Sequence, residues 1–458
     1  MAQKKKPIQN KKPVVGESVK AAKQDRSKSK PSKTTAKRGM VPGSSEVAAI
    51  VRPVPVVANF QPTPEHPYLI ERLLTPHEVS LEYQLRREEL DKGFKQARTA
   101  LRKWLPSLRK QRQFKRGHIT GWSVTFRRSF GHIVSPLQVV IAINVATKFA
   151  VDDLKHMKCT ALPKSVFGIP IKVLEGSFVF LASALQGVIT RASGVTPHDP
   201  LPLTAPLIGG VPVAPDSDPS DFGTLGIVVE ETTGEVVGVT NFHVIDSGAA
   251  AVKLGPTFSP GSPGGTAPVG KASTTRRVLG GKSGLSLAGS VDCAAIILDA
   301  SIAAAALKNA VRELTHLKHT LDPANIPLFY ANRPVSNDDT DLPVWKFGAR
   351  SGIKLKGRIQ INAGADVKIN GKLFRNIIVV QHDAGNNTFV PAGDSGSVMV
   401  LQTKIKNKPA FVVAGIFFAQ IEGNDSKGIA CHFSDVAQAL DLKIKASLLA
   451  DDWSASAS

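Results

Sequence analysis

The sequence contains little cysteine. Three cysteines occur in 458 residues, odd in number and far apart. This argues against a secreted fold built on disulfides, because such folds need closely spaced, paired cysteines. No C-x-x-C spacing is present, so a structural zinc site of that kind is not predicted. Each cysteine lies in or beside apolar sequence, which predicts buried free thiols at Cys159, Cys293 and Cys431.

Long apolar runs are also missing. No window of 18 uninterrupted apolar residues occurs, so we expect no membrane-spanning helix. The N-terminal segment MAQKKKPIQNKK lacks the apolar core of a signal peptide, and the expected location is therefore the cytoplasm. No cluster of metal ligands and no glycine-rich phosphate-binding loop is present, so no metal and no cofactor are expected.

Positive charge is abundant but confined to two segments. The formal net charge is +21. Residues 1–40 hold 13 Lys and Arg against two acidic residues, a net charge of +11. Residues 84–116 hold 12 Lys and Arg against three acidic residues, a net charge of +9. The basic character therefore belongs to the N-terminal part of the sequence and says little about the rest.

The N-terminal 116 residues form a basic extension. Residues 1–45 are rich in Lys, Ser, Pro and Thr, a composition typical of a disordered tail. Residues 46–116 are predicted to be a linker followed by a basic helix, which begins after the capping pair Thr75 and Glu78 and ends at Pro106. Its predicted apolar stripe consists of Leu81, Leu85, Phe94, Leu101 and Leu105.

Two interpretations of these basic segments stay open. They suit nucleic acid or another polyanion as a partner, because clustered Lys and Arg neutralise phosphate or sulfate groups. A solubilising tail and a solvated helix face would have the same composition.

The composition changes at residue 117. Residues 117–205 are predicted to be a small α/β domain followed by a Pro-rich connector, with strands in WSVTFRR, LQVVIAINV and GIPIKVLEG and a helix in AVDDLKHM. Such a module before a larger domain suits an inhibitory or positioning role. Residues 206–446 are rich in short strands, interrupted by one Ala-rich helix predicted at 301–318, and residues 447–458 form a C-terminal tail.

The segment PAGDSGSVMV contains the strongest candidate for chemistry. Ser395 lies in G-D-S-G-S, and its glycines allow a tight turn that exposes one hydroxyl and several amides. A serine hydroxyl is a poor nucleophile at neutral pH, so it needs a base, usually His. A carboxylate must orient that base, and backbone amides must bind the oxyanion. An ordinary turn before a buried strand is the alternative interpretation.

Two further residues complete a candidate constellation. His243 ends the strand VVGVTNFHVI, and Asp292 opens the strand VDCAAIIL. Each taken alone has a structural interpretation, as a core histidine or as a solvent-facing carboxylate. The competing acids are Asp246 and Asp299, and the pair His382–Asp383 is a competing base and acid.

The combination of TNFHVI, VDCAAI and GDSGS resembles the trypsin/chymotrypsin-like serine peptidases. It looks closest to bacterial, disulfide-free members, in which TN-x-HV surrounds the base. Further similar segments are KFGARSGIKLKGRI before Ser395 and VVAGIFFAQ after it. The resemblance covers about residues 222–440. It implies a mostly β fold with two six-stranded antiparallel β-barrels, here preceded by the small α/β domain and the basic disordered and helical extension.

The resemblance also implies residue roles for a serine endopeptidase. His243 would be the general base, Asp292 its orienting acid and Ser395 the nucleophile. The amides of Gly393 and Ser395 would form the oxyanion hole. The primary specificity pocket would have Phe389 at its base, and its wall would consist of Phe418, Ala419 and Gln420.

Two departures from the family pattern affect these roles. Trypsin has Asp where Phe389 stands, so a Lys or Arg preference is not implied. The nearest match to the N-terminus that activates the zymogens is LIGGV at 207–211, so Asp394 lacks that amine partner. A peptidase-like scaffold with little turnover and a polyanion-binding protein remain the alternative functions.

Overall fold

A computed structural model describes most of the sequence after residue 71. The described ranges are 72–129, 132–180, 207–215, 222–245, 251–254, 268–281, 285–311, 327–340, 342–349, 351–360, 365–382, 390–391, 393–421 and 424–453. All belong to one compact unit, Tyr68–Ser458. The predicted tail at 1–45 and the residues Asp246, Asp383 and Phe389 lie outside these ranges. Within them, no helix is long and apolar enough to cross a membrane.

The described N-terminal part is helical. Thr75 caps the first helix, since its hydroxyl accepts from the Glu78 amide at 3.3 Å and its amide donates to the Glu78 carboxylate at 2.8 Å. The predicted capping pair is therefore present. The helices of the described residues are α1 (Pro76–Leu85), α2 (Arg87–Lys110), α3 (Arg112–Lys115), α4 (Val151–His156), α5 (Ala300–Ala305) and α6 (Phe433–Ala439), with 3-10 turns at Asn337–Asp339 and Ala446–Leu448.

The predicted end of the helix at Pro106 is wrong. Helix α2 continues through Pro106 to Lys110, although proline removes a backbone donor and costs about 3 kcal/mol in a helix interior. Leu108 is fully buried, so its packing offsets this cost. The predicted stripe is also partly wrong, because Leu81 and Leu85 are exposed. The buried face consists of Leu90, Phe94, Ala97, Ala100, Leu101, Trp104 and Leu108.

The rest of the described sequence is mostly β, as the residue patterns predict. The strands are β1 (Arg72–Leu73), β2 (Ile119–Phe126), β3 (Arg128–Ser129), β4 (His132–Ser135), β5 (Val139–Val145), β6 (Ser165–Val166), β7 (Ile169–Glu175), β8 (Phe178–Phe180), β9 (Val211–Pro215), β10 (Gly223–Leu225), β11 (Ile227–Glu230), β12 (Val236–Thr240), β13 (Ala251–Leu254), β14 (Pro268–Gly280), β15 (Val291–Leu298), β16 (Leu328–Ala331), β17 (Pro343–Gly348), β18 (Gly352–Ile359), β19 (Ala365–Ile369), β20 (Lys372–His382), β21 (Val398–Ile405), β22 (Lys408–Ile421), β23 (Asn424–His432) and β24 (Leu449–Ala450).

These strands form two large sheets and a small one in the described residues. The seven-stranded sheet has the order β10-β9-β13-β14-β15-β12-β11. The largest sheet follows the path β21-β17-β18-β20-β23-β22-β8-β19-β2-β5-β7-β6, with β16 and β24 attached beside β22. The small sheet has the order β1-β4-β3.

Six strands of the largest sheet close on themselves. Strand β21 pairs with both β17 and β22, so the order β21-β17-β18-β20-β23-β22 is a ring in which every pair is antiparallel. A closed ring has no free edges, which protects its backbone groups from unwanted pairing. One face of the ring and the facing seven-stranded sheet share a buried apolar core that includes Val239, Cys293, Val398 and Phe418.

The strands of 119–180 continue the same sheet. Strand β2 pairs with β19, and Trp122 donates from its indole nitrogen to the Asp366 carboxylate at 2.9 Å. Helix α2 packs its apolar face on this part of the sheet, with Phe94 against Phe126 at 5.2 Å between ring centres. The predicted boundary between 205 and 206 stays a prediction, but hydrogen-bonded strands join the two sides of it.

The Ala-rich helix is shorter than predicted. Helix α5 ends at Ala305, because the following backbone bonds to neighbouring segments instead of continuing the helix. The amide of Leu307 donates to the carbonyl of Leu207 at 2.8 Å, and the amide of Asn309 donates to that of Val228 at 2.7 Å. The rest of the predicted helix, from residue 312, lies outside the described residues.

Candidate active site

Three predicted residues come from both large sheets and meet where those sheets face each other. His243 follows β12, and Asp292 is the second residue of β15, which pairs directly with β12. Ser395 lies in the turn before β21, in the other sheet. The register of β12 and β15 places Thr240 opposite Ala294, so the residues that follow β12 come beside the start of β15.

The three side chains form a continuous hydrogen-bonded series. The His243 Nε2 atom lies 2.8 Å from the Ser395 hydroxyl oxygen. The His243 Nδ1 atom is hydrogen-bonded to the Asp292 carboxylate. The His243 side chain keeps 11% of its surface exposed, whereas Asp292 and Ser395 have none. This arrangement allows His243 to take a proton from Ser395 while Asp292 fixes the orientation of the ring.

The buried Asp292 carboxylate is well supplied with donors. Its Oδ1 atom accepts from the amides of Phe242 at 2.8 Å and His243 at 3.3 Å. The Asn241 side-chain amide donates to the backbone carbonyl of Asp292 at 2.6 Å. A buried carboxylate is costly unless donors surround it, and these contacts hold Asp292 in place.

The turn around Ser395 depends on glycine. Gly393 and Gly396 have φ angles of +94° and +92°, a region that side chains with a Cβ atom rarely adopt. A Cβ atom at Gly396 would also lie 2.1 Å from the carbonyl oxygen of Thr224. Within the described residues, the amides of Gly393 and Ser395 donate no hydrogen bond to another group. Among the described residues, no acceptor occupies either donor.

Thr224 in β10 fastens this turn to the seven-stranded sheet. Its amide donates to the carbonyl of Ser395 at 2.6 Å, and its hydroxyl donates to the carbonyl of Gly393 at 3.0 Å. The same hydroxyl accepts from the amide of Ala349 at 2.9 Å. Sequence reasoning missed Thr224, because nothing in the string GTLG distinguishes it from any other threonine of a strand.

A buried ion pair lies directly beside the nucleophile turn. The Lys346 ammonium group of β17 is bound to the Asp394 carboxylate, and both side chains are fully buried. The ammonium group also donates to the Ser351 hydroxyl at 2.8 Å, and the amide of Ser351 donates to the other Asp394 oxygen at 3.1 Å. Burial lowers the pKa of the Lys346 ammonium, and the adjacent carboxylate opposes this by favouring its charged form.

Sequence reasoning missed Lys346 as well. It predicted only that Asp394 has no N-terminal amine partner, and it did not identify the Lys346 ammonium group that pairs with Asp394. The only sequence signal is that Lys346 stands in the apolar strand VWKFG, where a lysine that faces the core must have a partner.

The predicted wall of the specificity pocket lies at the end of β22. Phe418 is fully buried, and its ring packs against Phe374 at 4.9 Å between centres. Ala419 is also fully buried, and Gln420 is half-buried with its side-chain oxygen enclosed. These residues are neighbours of the turn because Gly396 donates to the carbonyl of the preceding Phe417 at 2.9 Å.

Two of the competing candidates, Asp299 and His382, lie in the described residues. Asp299 is exposed before α5, and His382 lies in β20 opposite Gly357. All three cysteines are free and buried, as predicted, and burial raises the pKa of the Cys431 thiol to about 12, which keeps it neutral. No group of His, Cys, Asp and Glu side chains in the described ranges is arranged to hold a metal ion.

Comparison with known proteins adds little to this geometry. No family model matches the sequence, and no curated protein matches it. Among solved structures, the protein is similar to a Nocardiopsis protease, with a TM-score of 0.31 and 13% sequence identity. That match covers 53% of this protein and 100% of the protease. A likeness at this level carries no argument about activity, so a functional conclusion depends on the site itself.

Proposed function

We propose that this protein is a serine endopeptidase that hydrolyses peptide bonds through a covalent acyl-enzyme. The observation that carries the proposal is the series of contacts from Asp292 through His243 to the Ser395 hydroxyl, with 2.8 Å between His243 Nε2 and the hydroxyl oxygen. Three side chains from two sheets meet in the order and geometry that nucleophilic catalysis by serine requires.

Acylation begins when the Ser395 oxygen attacks the substrate carbonyl carbon. His243 Nε2 accepts the hydroxyl proton, and Asp292 stabilises the resulting imidazolium. The tetrahedral intermediate then expels the amine, which takes the proton from His243. Water next attacks the ester with His243 again as the base, and the second product leaves as a carboxylic acid.

The backbone of the turn supplies the oxyanion hole in this proposal. The amides of Gly393 and Ser395 are free of protein acceptors among the described residues, and two such donors favour the charge that develops on the carbonyl oxygen. Loss of one such donor typically lowers kcat by about 10²–10³. Thr224 supports this hole because it binds the carbonyls of the same two residues.

Lys346 is a positioning residue for this hole. Its ammonium group holds Asp394, the residue between the two proposed donors, so the turn is fixed by an internal cation. This ion pair makes a newly formed N-terminal amine unnecessary for shaping the turn.

The proposed fold is a pair of β-barrels with the site between them. The closed antiparallel ring of six strands supports the second barrel. The seven-stranded sheet that holds His243 and Asp292 supports the first. The proposed specificity residues are those the resemblance implies, Phe389, Phe418, Ala419 and Gln420, and they favour a small or apolar side chain before the cut bond.

A second proposed function is polyanion binding by helix α2. The helix buries one face in the core, and residues 92–116 hold ten Lys and Arg and no acidic residue. On helical spacing Lys95 and Arg102 lie on a face away from the buried one, and both are exposed. Such a face suits nucleic acid or another polyanion and would localise the peptidase.

The peptidase proposal is tested by labelling with a fluorophosphonate probe, which reacts only with activated serines. We expect wild-type protein to be labelled and the Ser395→Ala and His243→Ala variants to remain unlabelled. Ser397→Ala is the matched control, because its hydroxyl lies in the same turn, is buried and has no hydrogen-bond partner in the described residues. Folded wild-type protein that stays unlabelled would favour the peptidase-like scaffold instead.

A further inference from the structure

An apolar cavity lies between the sheet and helix α4, in the described part of the sequence before residue 181. Its volume is about 290 Å³, and it shares no residue with the candidate active site. Ile119, Val145 and Val173 line it from the neighbouring strands β2, β5 and β7. Leu154 of α4 and Met157, which follows α4, line it as well. The cavity is therefore bounded by the sheet on one side and by α4 on the other.

Helix α4 stands away from the sheet instead of packing tightly on it. None of its residues is buried, and the apolar side chain of Leu154 is only half-buried. Protein interiors rarely contain voids larger than a water molecule. A largely apolar space of this size, close to the lower end of the range for small-molecule sites at about 300 Å³, is instead typical of a ligand site.

Hydrogen bonds hold the segment that closes the cavity. The buried Gln113 side chain of α3 donates to the Thr160 carbonyl at 2.7 Å, and its oxygen accepts from the Thr160 amide at 3.3 Å. The amide of Cys159 donates to the carbonyl of Leu154 at 2.8 Å. These contacts tie the segment after α4 to α3 and keep it from collapsing into the space.

The rim of the cavity carries a positive charge at the exposed Lys148. His118 also lines the cavity, and its ring lies against that of Phe149 at 6.0 Å between centres. Within the described residues, no Asp or Glu lines the cavity. Glu175 accepts from the Lys148 backbone amide at 3.4 Å, but it is not part of the lining. An apolar space with a lysine at its rim suits a ligand with an apolar chain and an anionic head.

The volume sets the length of that ligand. An apolar cavity of about 150 Å³ binds benzene, a molecule with six non-hydrogen atoms. The cavity here is about twice as large and accommodates about a dozen such atoms. A straight-chain carboxylate with about ten carbons and two oxygens has that size.

We propose that this cavity binds a medium-chain carboxylate, with its alkyl chain between the sheet and α4 and its carboxylate beside Lys148. The inference goes beyond the proposed peptidase function and does not depend on it. Burial of the alkyl chain supplies most of the affinity, at about fourfold per CH₂ group. The carboxylate fixes the direction in which the chain enters, because an exposed ion pair adds only modestly to affinity.

A solvated crevice under a loosely packed helix would have the same lining but no preferred ligand. The test therefore measures where decanoate binds and which side chains its affinity depends on.

Methionine provides a local probe of binding. The sequence contains four methionines, of which Met1 and Met40 lie outside the described residues. Met157 lines the cavity, whereas Met399 is fully buried in a different core. Full-length protein with ¹³C-labelled methionine methyl groups is titrated with decanoate below the concentration at which decanoate forms micelles. We expect the Met157 signal, assigned with Met157→Leu, to shift until one molecule is bound per chain, and the Met399 signal to stay in place.

Chain length tests the proposed size of the ligand. From hexanoate to decanoate, affinity should rise by about fourfold per CH₂. From decanoate to tetradecanoate it should rise by less than about twofold per CH₂, because the added carbons extend beyond the cavity. An affinity that grows evenly up to tetradecanoate would contradict the proposed fit.

Two pairs of variants test the head group and the cavity. Lys148→Glu should weaken decanoate binding by about fivefold or more and leave the binding of neutral decanol unchanged, because only the carboxylate meets the reversed charge. Lys164→Glu is the matched control, since Lys164 is exposed nearby and does not line the cavity. Ala161→Phe, at an exposed position of the lining, should weaken both ligands by about tenfold or more, whereas Ala304→Phe on α5 should change neither.

Each outcome decides a stated point. A Met157 signal that does not shift, or that shifts together with that of Met399, overturns the site. Equal affinity of the Lys148→Glu and Lys164→Glu variants for decanoate overturns the carboxylate as the head group. If Ala161→Phe fails to fold, the methionine signals and the two lysine variants still decide both points.

Discussion

At the scale of single residues, the ion pair of Lys346 and Asp394 has the greatest consequence beyond the triad. Two opposite charges with no exposed surface lie next to Ser395. Taking such charges out of water is expensive, and their attraction and hydrogen bonds must compensate for it. Breaking the pair leaves one buried charge without a partner, which is worse than removing both.

Lys346→Met should therefore destabilise the protein by about 3–5 kcal/mol, since Asp394 is left charged and buried. Probe labelling of Ser395 should also slow, because the turn that carries the proposed oxyanion hole loses its support. The measurements are the free energy of unfolding in denaturant and the rate of fluorophosphonate labelling under native conditions.

The double variant Lys346→Met/Asp394→Asn is the control for this prediction. It removes both charges and keeps an acceptor for the amide of Ser351, so most of the lost stability should return. An unfolding free energy of Lys346→Met equal to that of wild type would contradict a role for the ion pair.

The sequence predicts the three central residues of the site better than it predicts the residues that hold them in position. His243, Asp292 and Ser395 stand in short motifs whose residue types are themselves chemical, and the structure brings all three together. Thr224 acts through hydrogen bonds to backbone carbonyls, and Lys346 acts through an ion pair with a residue 48 positions away. These contacts form only when the strands are assembled. Whether the three residues catalyse a reaction remains a proposal.

At the scale of elements, local patterns predict strands and caps well and predict helix ends poorly. The helix α4 and strands β2, β5 and β7 occur where alternation and turn residues place them. Helix α2 passes Pro106 because burial of Leu108 outweighs the local cost of proline. Helix α5 ends early because the backbone amides that follow it bond to Leu207 and to Val228 of β11. Local sequence contains neither of these tertiary contacts.

The buried side chain of His432 connects β23 to β20 and to the segment before the 3-10 turn at Asn337–Asp339. His432 ends β23, its Nδ1 atom accepts from the amide of Val335 at 3.1 Å, and its Nε2–H donates to the carbonyl of Asn376 at 2.9 Å. This bonding pattern requires the neutral ring. Burial lowers the pKa of His432 from its ordinary value of 6.5 to about 4.

His432 should make stability depend on pH in a defined window. Because its pKa is lower in the folded state, the unfolded protein binds more protons between pH 4 and 6.5. The contribution is fully present above pH 6.5 and is lost as pH falls towards 4, up to about 3 kcal/mol. Unfolding free energies measured from about pH 7 to 4 check this.

His432→Gln is the matched variant for that measurement. A glutamine offers one acceptor and one donor at similar positions but does not titrate. The wild-type free energy of unfolding should fall more steeply with acid than that of the variant. Parallel curves for the two proteins would show that His432 does not titrate on unfolding in this range.

At the scale of the whole molecule, the predicted modules share one sheet. Strands β2, β5 and β7 are joined to the closed ring through β19 and β8, and the core of α2 lies on the same sheet. Sequence composition predicts a change of character at residue 117, but it does not predict which strands pair across long separations. Pairing of Gly121 with Val367 is an example.

Because helix α2 is packed on the sheet, polyanion binding should be tested by substitutions rather than by a deletion. Deletion of residues 1–116 would remove the helix that covers the sheet, because Phe94 and Trp104 belong to its core. Charge reversal on the exposed face is the better change. Lys95→Glu/Arg102→Glu alters that face alone and leaves the buried residues in place.

We expect this double variant to bind a single-stranded RNA oligonucleotide about tenfold or more weakly than wild type at low salt, because it loses contacts to phosphate groups. Each lost contact should also lower the slope of log K against log salt by about 0.7. Lys372→Glu/Lys408→Glu is the matched control, since it changes net charge equally at exposed positions of the C-terminal body. Affinity measured by fluorescence anisotropy from low to high salt distinguishes the two. Equal loss in both variants would mean that net charge acts without a defined surface, whereas unchanged binding in the α2 variant would remove helix α2 from the interaction.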